Sequence, residues 1–259
     1  MSAHTTATLP IMAHLVLGYP NLPESLDTAR QYIEAGVAIL ELQIPFSHPT
    51  ADGPVITEAC RVATQQGVQV RDCIQGIAEL RAAYPAQEIM VMSYANRVYH
   101  VGFEFFMSEM KACGVQHIII PDLPIDAAWW HRMRHTGVSW VPVLAANTPP
   151  ARLQELLDLP LDFFYLMSDF KITGSGFSLH PHLQTLISKI RNTPLADGTK
   201  RRVGIGFGIS TPEQARIVVA EADLAIIGSA LIQAQKSGNL AEYLESLHQI
   251  RHETTHPSP

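Results

Sequence analysis

Residues 202–230 read RVGIGFGISTPEQARIVVAEADLAIIGSA. Two short apolar runs, Arg202 to Gly206 and Leu224 to Ile227, flank Thr211 to Glu221, where apolar residues recur with helical period. That succession predicts two parallel strands joined by a crossover helix. Working outward, the alternation repeats through the chain. Further runs lie at Ile11 to Leu17, Ala38 to Ile44, Glu88 to Ser93, His117 to Pro121, Ser139 to Val143 and Phe163 to Met167. Between them lie amphipathic segments such as Pro23 to Ala35, Phe103 to Cys113 and Pro150 to Asp158, with Gly or Pro near many ends. Val55 to Pro85 is too long for one helix and reads as two. Eight strands alternating with helices predict an α/β fold, a single (β/α)8 TIM barrel, and 259 residues is close to the usual length of one, about 250. The rival open sheet normally carries GxGxxG after its first strand, and Leu17-Gly18-Tyr19-Pro20-Asn21 does not supply it. One domain is expected over 1–259, with 1–9 and 252–259 as flexible tails.

Composition narrows the class of function. The chain is 47% hydrophobic and 16% charged, which suits a packed α/β protein with buried parallel strands. Its net charge is −6 and its 18 Lys and Arg are spread thinly, so neither a nucleic acid nor an anionic membrane surface is an expected partner. Cys60, Cys73 and Cys113 are odd in number and lack CxxC spacing, which argues for packing roles in a reducing compartment rather than a disulfide framework. The N-terminal MSAHTTATLP lacks the charged and apolar regions of a signal peptide, and no apolar stretch reaches the roughly 18 residues of a membrane span. A cytoplasmic location is expected.

In such barrels the chemistry sits just after the strands, at their C-terminal ends. Leu40-Glu41-Leu42-Gln43-Ile44 puts a carboxylate inside an apolar strand. Desolvation favours the neutral form of an unpaired acid and so keeps a proton available for donation, although a structural Glu paired with a buried Arg or hydroxyl would look the same. The following loop, Pro45-Phe46-Ser47-His48-Pro49-Thr50-Ala51-Asp52-Gly53-Pro54, is stiffened by prolines, so Asp52 is held at the rim of the second strand; a turn and helix cap is the competing reading. Three later loops converge on a phosphate: Ile172-Thr173-Gly174-Ser175-Gly176, Gly206-Phe207-Gly208-Ile209-Ser210 and Gly228-Ser229-Ala230. Loops after the seventh and eighth strands, with a helix N-terminus, offer N–H groups and a favourable dipole to an anion. Tyr94 and Tyr165 could wall a flat aromatic substrate or simply be core. Asp122 and His48 stand at the same rim, the first as a possible organiser of neighbouring backbone and the second as a loop His. No cluster has metal-ligand spacing, so metal-free acid–base chemistry is expected.

Taken in order, Leu40-Glu41-Leu42, Ile44-Pro45-Phe46-Ser47, Ala51-Asp52-Gly53-Pro54, Tyr94-Ala95-Asn96, Pro121-Asp122-Leu123-Pro124, Thr173-Gly174, Gly206 to Ser210 and Gly228-Ser229-Ala230 resemble the tryptophan synthase alpha subunit family over nearly the whole chain. The resemblance implies retro-aldol cleavage of indole-3-glycerol phosphate to indole and glyceraldehyde 3-phosphate, a lyase step of tryptophan biosynthesis needing no cofactor in this chain. Indole would pass to a beta subunit carrying pyridoxal phosphate. By the same resemblance Glu41 would protonate indole C3 and Asp52 would hold the indole N–H. Tyr94, Ile119, Tyr165 and Thr173 would line the pocket, and Gly174, Phe207, Gly208, Gly228 and Ser229 would hold the phosphate. The chain departs from the family at His14 (usually Phe), Gln43 (usually Gly), His48 (usually Asp) and Lys171 (usually Gly), and the segment before the first strand is too short for the helix that commonly precedes it. These departures keep open a stand-alone or specialised-pathway lyase, and a barrel that mainly regulates a beta-type partner.

Overall fold

The structure, a computed structural model, describes residues 8–123, 132–167, 170–173, 176–206 and 208–252. Its main sheet contains β1 (Leu9–Val16), β2 (Val37–Gln43), β3 (Glu88–Met92), β4 (His117–Ile119), β5 (Ser139–Val141), β6 (Val143–Leu144), β7 (Phe163–Met167), β10 (Arg202–Gly206) and β11 (Leu224–Ile227). All neighbours are parallel, in the order β5-β4-β3-β2-β1-β11-β10-β7-β6. The two ends of that order, β5 and β6, are one run of chain interrupted at Pro142. Proline has no N–H to give, but its carbonyl accepts from Tyr165 N at 3.0 Å, so the ring of eight runs closes across it. The fifth expected strand is therefore present as two pieces.

Helices α1 (Leu22–Glu34), α2 (Pro54–Gln65), α3 (Val70–Ala83), α4 (Ala95–Val101), α5 (Phe103–Ala112), α6 (Pro150–Leu157), α7 (Pro181–Arg191), α8 (Pro212–Glu221), α9 (Ser229–Lys236) and α10 (Leu240–Leu247) alternate with the strands, and a 3₁₀ turn over His248–His252 follows. The long segment after β2 holds the two helices expected, α2 and α3. Local chemistry sets their starts. Thr211 accepts from Gln214 N while the Gln214 amide accepts from Ser210 N and Thr211 N, a capping box that opens α8. One element was not foreseen: Phe170–Thr173 (β8) and Gly176–Leu179 (β9) pair antiparallel outside the barrel. The N-terminal boundary is also corrected, because Leu9, assigned to a flexible tail, is the first residue of β1 and fully buried.

Strand alternation sorts the core into two layers. Ile11, Ala13, Leu15, Leu40 and Leu42 face the helices, whereas Met12, Ile39, Met90, Ile119, Phe163 and Ile226 fill the barrel interior. The N-terminal ends of the strands are closed by charge. Arg202 donates to both oxygens of Glu88 at 2.7 and 2.8 Å, and His117 Nε2 bonds Asp162 at 2.9 Å. Buried Arg201 donates to the carbonyls of Thr193, Leu161 and Leu157. No helix is long and apolar enough to cross a membrane among the described residues.

Candidate active site

Along β2 the side chains of Ile39, Glu41 and Gln43 share one face, and Ile39 belongs to the apolar interior of the barrel. Glu41 is therefore carried inward, one step above that apolar layer. The parallel register sets it beside His14 of β1. Their Nδ1 and Oε1 atoms stand 3.2 Å apart, with only 5% of His14 and 2% of Glu41 exposed. The expectation of an unpaired acid is thus revised, and the partner is an imidazole rather than the Arg or hydroxyl considered. Burial pulls the His14 pKa down, but the Glu41 carboxylate, with help from Asp52 and Gln43, overcomes this and holds it above the usual 6.5. His14 Nε2 and Glu41 Oε2 have no hydrogen-bond partner among the described residues.

The stiff loop after β2 brings the second carboxylate to the same place. Asp52 N donates to Pro49 O, closing a turn, and Gly53 then opens α2 without any side-chain cap. The Asp52 side chain is free of the capping role considered for it and turns inward instead. Its Oδ2 accepts from Gln43 Nε2 at 2.6 Å and from the Tyr94 hydroxyl at 2.9 Å. Burial raises the Asp52 pKa; His14, Gln43 and Tyr94 oppose that rise, and Glu41 adds to it. The net direction is upward.

Both carboxylates line one cavity of about 250 Å³ at the C-terminal ends of the strands. Met92, Ile119, Val143, Tyr165 and Ile226 give it an apolar, partly aromatic floor. Tyr165 lies across Gly206, where a Cβ would come within 2.8 Å of the ring carbon bearing the hydroxyl; only glycine leaves that space. Gly208, Ile209 and Ser210, and then Gly228, Ser229 and Ala230, line the rim beyond β10 and β11. The first hydrogen bond of α9 runs from Ile232 N to Gly228 O, so the N–H groups of residues 229 to 231 are left without intrahelical acceptors. Gly228 also packs on His14, its absent Cβ lying 3.3 Å from the imidazole Cδ2.

Of the residues singled out from sequence, Glu41, Asp52, Ile119, Tyr165, Gly208, Gly228 and Ser229 meet at this cavity. Tyr94 does not. It is fully buried behind Asp52, donating to that carboxylate and accepting from Ala51 N at 3.1 Å. Gly174 and Phe207 lie outside the described residues, as do the side chains of Thr173 and Lys171. Asp122 accepts from Ala95 N at 2.9 Å and organises the start of α4, the backbone role considered for it. His48 is exposed and bonds Ser47. His14 and Gln43, noted in the sequence only as departures, are the polar neighbours of the two carboxylates. The available signal was their parity with Met12 and Ile39, which marks a polar side chain aimed inward.

A sequence model described as "Tryptophan synthase alpha chain" matches residues 3–256. The chain is 33% identical over 232 residues to the tryptophan synthase alpha chain of Syntrophotalea carbinolica, covering 89% of each. It is 35% identical over 229 residues to that of Chloroflexus aurantiacus, covering 86% of this chain and 83% of the relative. Among solved structures it is similar to tryptophan synthase from M. tuberculosis in its aminoacrylate-bound form, with a TM-score of 0.79 at 26% identity over 93% of this chain and 92% of that one. With the barrel and its acid-lined cavity, a family match across almost the whole sequence leaves one assignment: the chain belongs to the tryptophan synthase alpha chain family.

Proposed function

We propose that this protein is a lyase that cleaves indole-3-glycerol phosphate to indole and glyceraldehyde 3-phosphate, in tryptophan biosynthesis. The observation that carries the reading is the joint presence, in one small apolar cavity, of Glu41 and Asp52 from the β2 side and of Ser229 and Ala230, at the N-terminus of α9, from the β11 side. The indole ring fits the apolar floor of Ile119, Tyr165 and Ile226, and the phosphate fits the glycine-lined rim at Gly208 and Gly228–Ser229, where helix N-termini favour anions.

In that pose Glu41 gives a proton to ring carbon C3, and positive charge develops toward the indole nitrogen. Asp52 accepts the indole N–H, an interaction that strengthens as the charge grows and so favours the transition state over the ground state. The side-chain hydroxyl then gives its proton to the Glu41 carboxylate, its oxygen forms the aldehyde carbonyl, and the electrons of the broken carbon–carbon bond return to the ring and quench its charge. A proton enters and a proton leaves, so the step as written calls on no cofactor. Thr173, Gly174 and Phe207 complete the pocket by family resemblance, and indole is handed to a beta-type subunit that carries pyridoxal phosphate.

An indole-release assay on the purified protein, with and without an added beta subunit, tests the reading. Release of indole from indole-3-glycerol phosphate, lost in Glu41→Gln, is the expected result; no release under either condition overturns it. Strong activation by the beta subunit supports the partnership, and full turnover without it supports a stand-alone lyase.

A further inference from the structure

One buried polar pair inside the barrel joins an acid to a base. His14 Nδ1 and Glu41 Oε1 are 3.2 Å apart, both groups are almost wholly buried, and both line the cavity. Adjacent strands in fixed register hold them side by side. A buried carboxylate beside a buried imidazole is stabilised when the two share a proton, because one ion alone in such a place is poorly solvated.

We propose that His14 and Glu41 hold one exchangeable proton between them, and that His14 is a positioning residue that sets the pH range over which Glu41 can act as the acid. This rests on the lyase reading above. In the resting site the pair carries one proton, divided between imidazole and carboxyl. Glu41 delivers that proton to C3, leaving the pair as neutral imidazole and carboxylate and the ring nitrogen positive. The substrate hydroxyl proton passes back to the pair as the carbon–carbon bond breaks, its electrons cancel the ring charge and the carbonyl forms. The pair ends as it began.

The surroundings suit this arrangement. The other titratable groups facing the pair, among the described residues, are Asp52 from the loop after β2, and Tyr165 from β7, whose hydroxyl is held neutral by burial and by the two carboxylates. Strand β11 and α9 present Ile226, Gly228, Ser229, Ala230 and Gln233 to the cavity, none of them titratable. Gln43 bonds Asp52 and so keeps that carboxylate engaged beside the pair. Both carboxylates favour the protonated imidazole, and burial opposes it.

Two measurements test the proposal. His14→Gln keeps a hydrogen-bond donor beside Glu41 but cannot carry the proton, so the alkaline limb of kcat for indole release should move to distinctly lower pH, with KM little changed. A profile that superimposes on the parent's overturns the pairing. Independently of any turnover, the imidazole nitrogens of His14 followed by NMR in the unliganded protein should titrate above 6.5, and at distinctly lower pH in Glu41→Gln. A His14 titration that ignores Glu41→Gln likewise overturns the proposal, and decides it should His14→Gln not fold. Should the parent release no indole at any pH, the lyase reading falls while the NMR titration still judges the pair.

Discussion

Tyr94→Phe separates a residue that touches substrate from one that aims a catalytic group. The substitution removes one oxygen and leaves the ring, which packs against Phe46 with centroids 5.2 Å apart. Two hydrogen bonds go with that oxygen: the one donated to Asp52 Oδ2 at 2.9 Å and the one accepted from Ala51 N at 3.1 Å. Asp52 keeps the donor Gln43 Nε2, but Ala51 N–H is left without its acceptor. A hydrogen bond to a charged group contributes roughly 1.5–3 kcal/mol, and an orphaned buried donor costs about 1–3 kcal/mol. Ala51 and Asp52 both border the cavity, where water can replace part of the loss, so a net destabilisation of about 2 kcal/mol is expected. In a protein of this size that lowers Tm by roughly 4–8 °C.

The kinetic expectation has a sign as well as a size. The Tyr94 hydroxyl helps keep the Asp52 pKa down against burial, so its loss lets that pKa rise further and moves the acid limb of kcat to higher pH. Removing a group that acts directly on developing charge costs on the order of 10²–10³ in rate; Tyr94 acts through Asp52, and a fall of about tenfold in kcat is expected, with KM within about twofold. Thermal melts and steady-state indole release across pH measure both. An unchanged Tm and kcat with a raised KM would refute this account and return Tyr94 to the substrate wall.

Glu41→Gln should lower kcat by about 10²–10⁴ with substrate binding retained, read by single-turnover indole release beside a binding isotherm. Arg201→Met removes the donor to three buried carbonyls and should destabilise by about 3–5 kcal/mol in denaturant melts, leaving KM unaltered because Arg201 lies at the far end of the barrel. Gly206→Ala drives a methyl group into the Tyr165 ring and should cost about 1–3 kcal/mol in the same melts while raising KM, since the displaced ring enters the cavity. For Asp52 the folded pKa lies above the ordinary 3.8, so its ionisation opposes folding once pH rises through that folded value. Asp52→Asn should therefore be more stable than the parent at neutral pH, lose that advantage below about 3.8, and be about 10²–10³ slower in indole release.

What could be read from sequence was whatever depends on alternation and on turn chemistry. Phe163 to Met167, Arg202 to Gly206 and Leu224 to Ile227 are strands over just those residues, because each apolar run is bounded by polar or glycine-containing turns. Pro142 shows the limit: the run through it reads as one strand, yet its missing N–H splits the ladder into β5 and β6. The β8–β9 hairpin had no periodic signal to announce it, since each strand is four residues long. Glu41 and Tyr165, read from their strands, and Ile119, named only through the family resemblance, came to line the cavity. Tyr94 did not, because its position depends on how the loop holding Asp52 folds back over β3, a long-range contact that strand pattern does not encode.

The same dependence on register explains why His14 escaped notice as the neighbour of Glu41. In a parallel ladder the neighbour of Glu41 is fixed by the offset between β1 and β2, and these strands pair with an irregularity between Leu9 and Met12. Past that irregularity Ala13 stands beside Leu40 and His14 beside Glu41. Shifting the pairing by one residue would turn His14 toward the helices and leave the acid beside an apolar side chain. The apolar layer of Met12, Ile39 and Ile226 forbids that slip, since it would also empty the barrel interior of its packing. The core that stabilises the fold thus also fixes the partner of the acid, and a substitution in that layer is expected to disturb the pH profile of the reaction before it unfolds the protein.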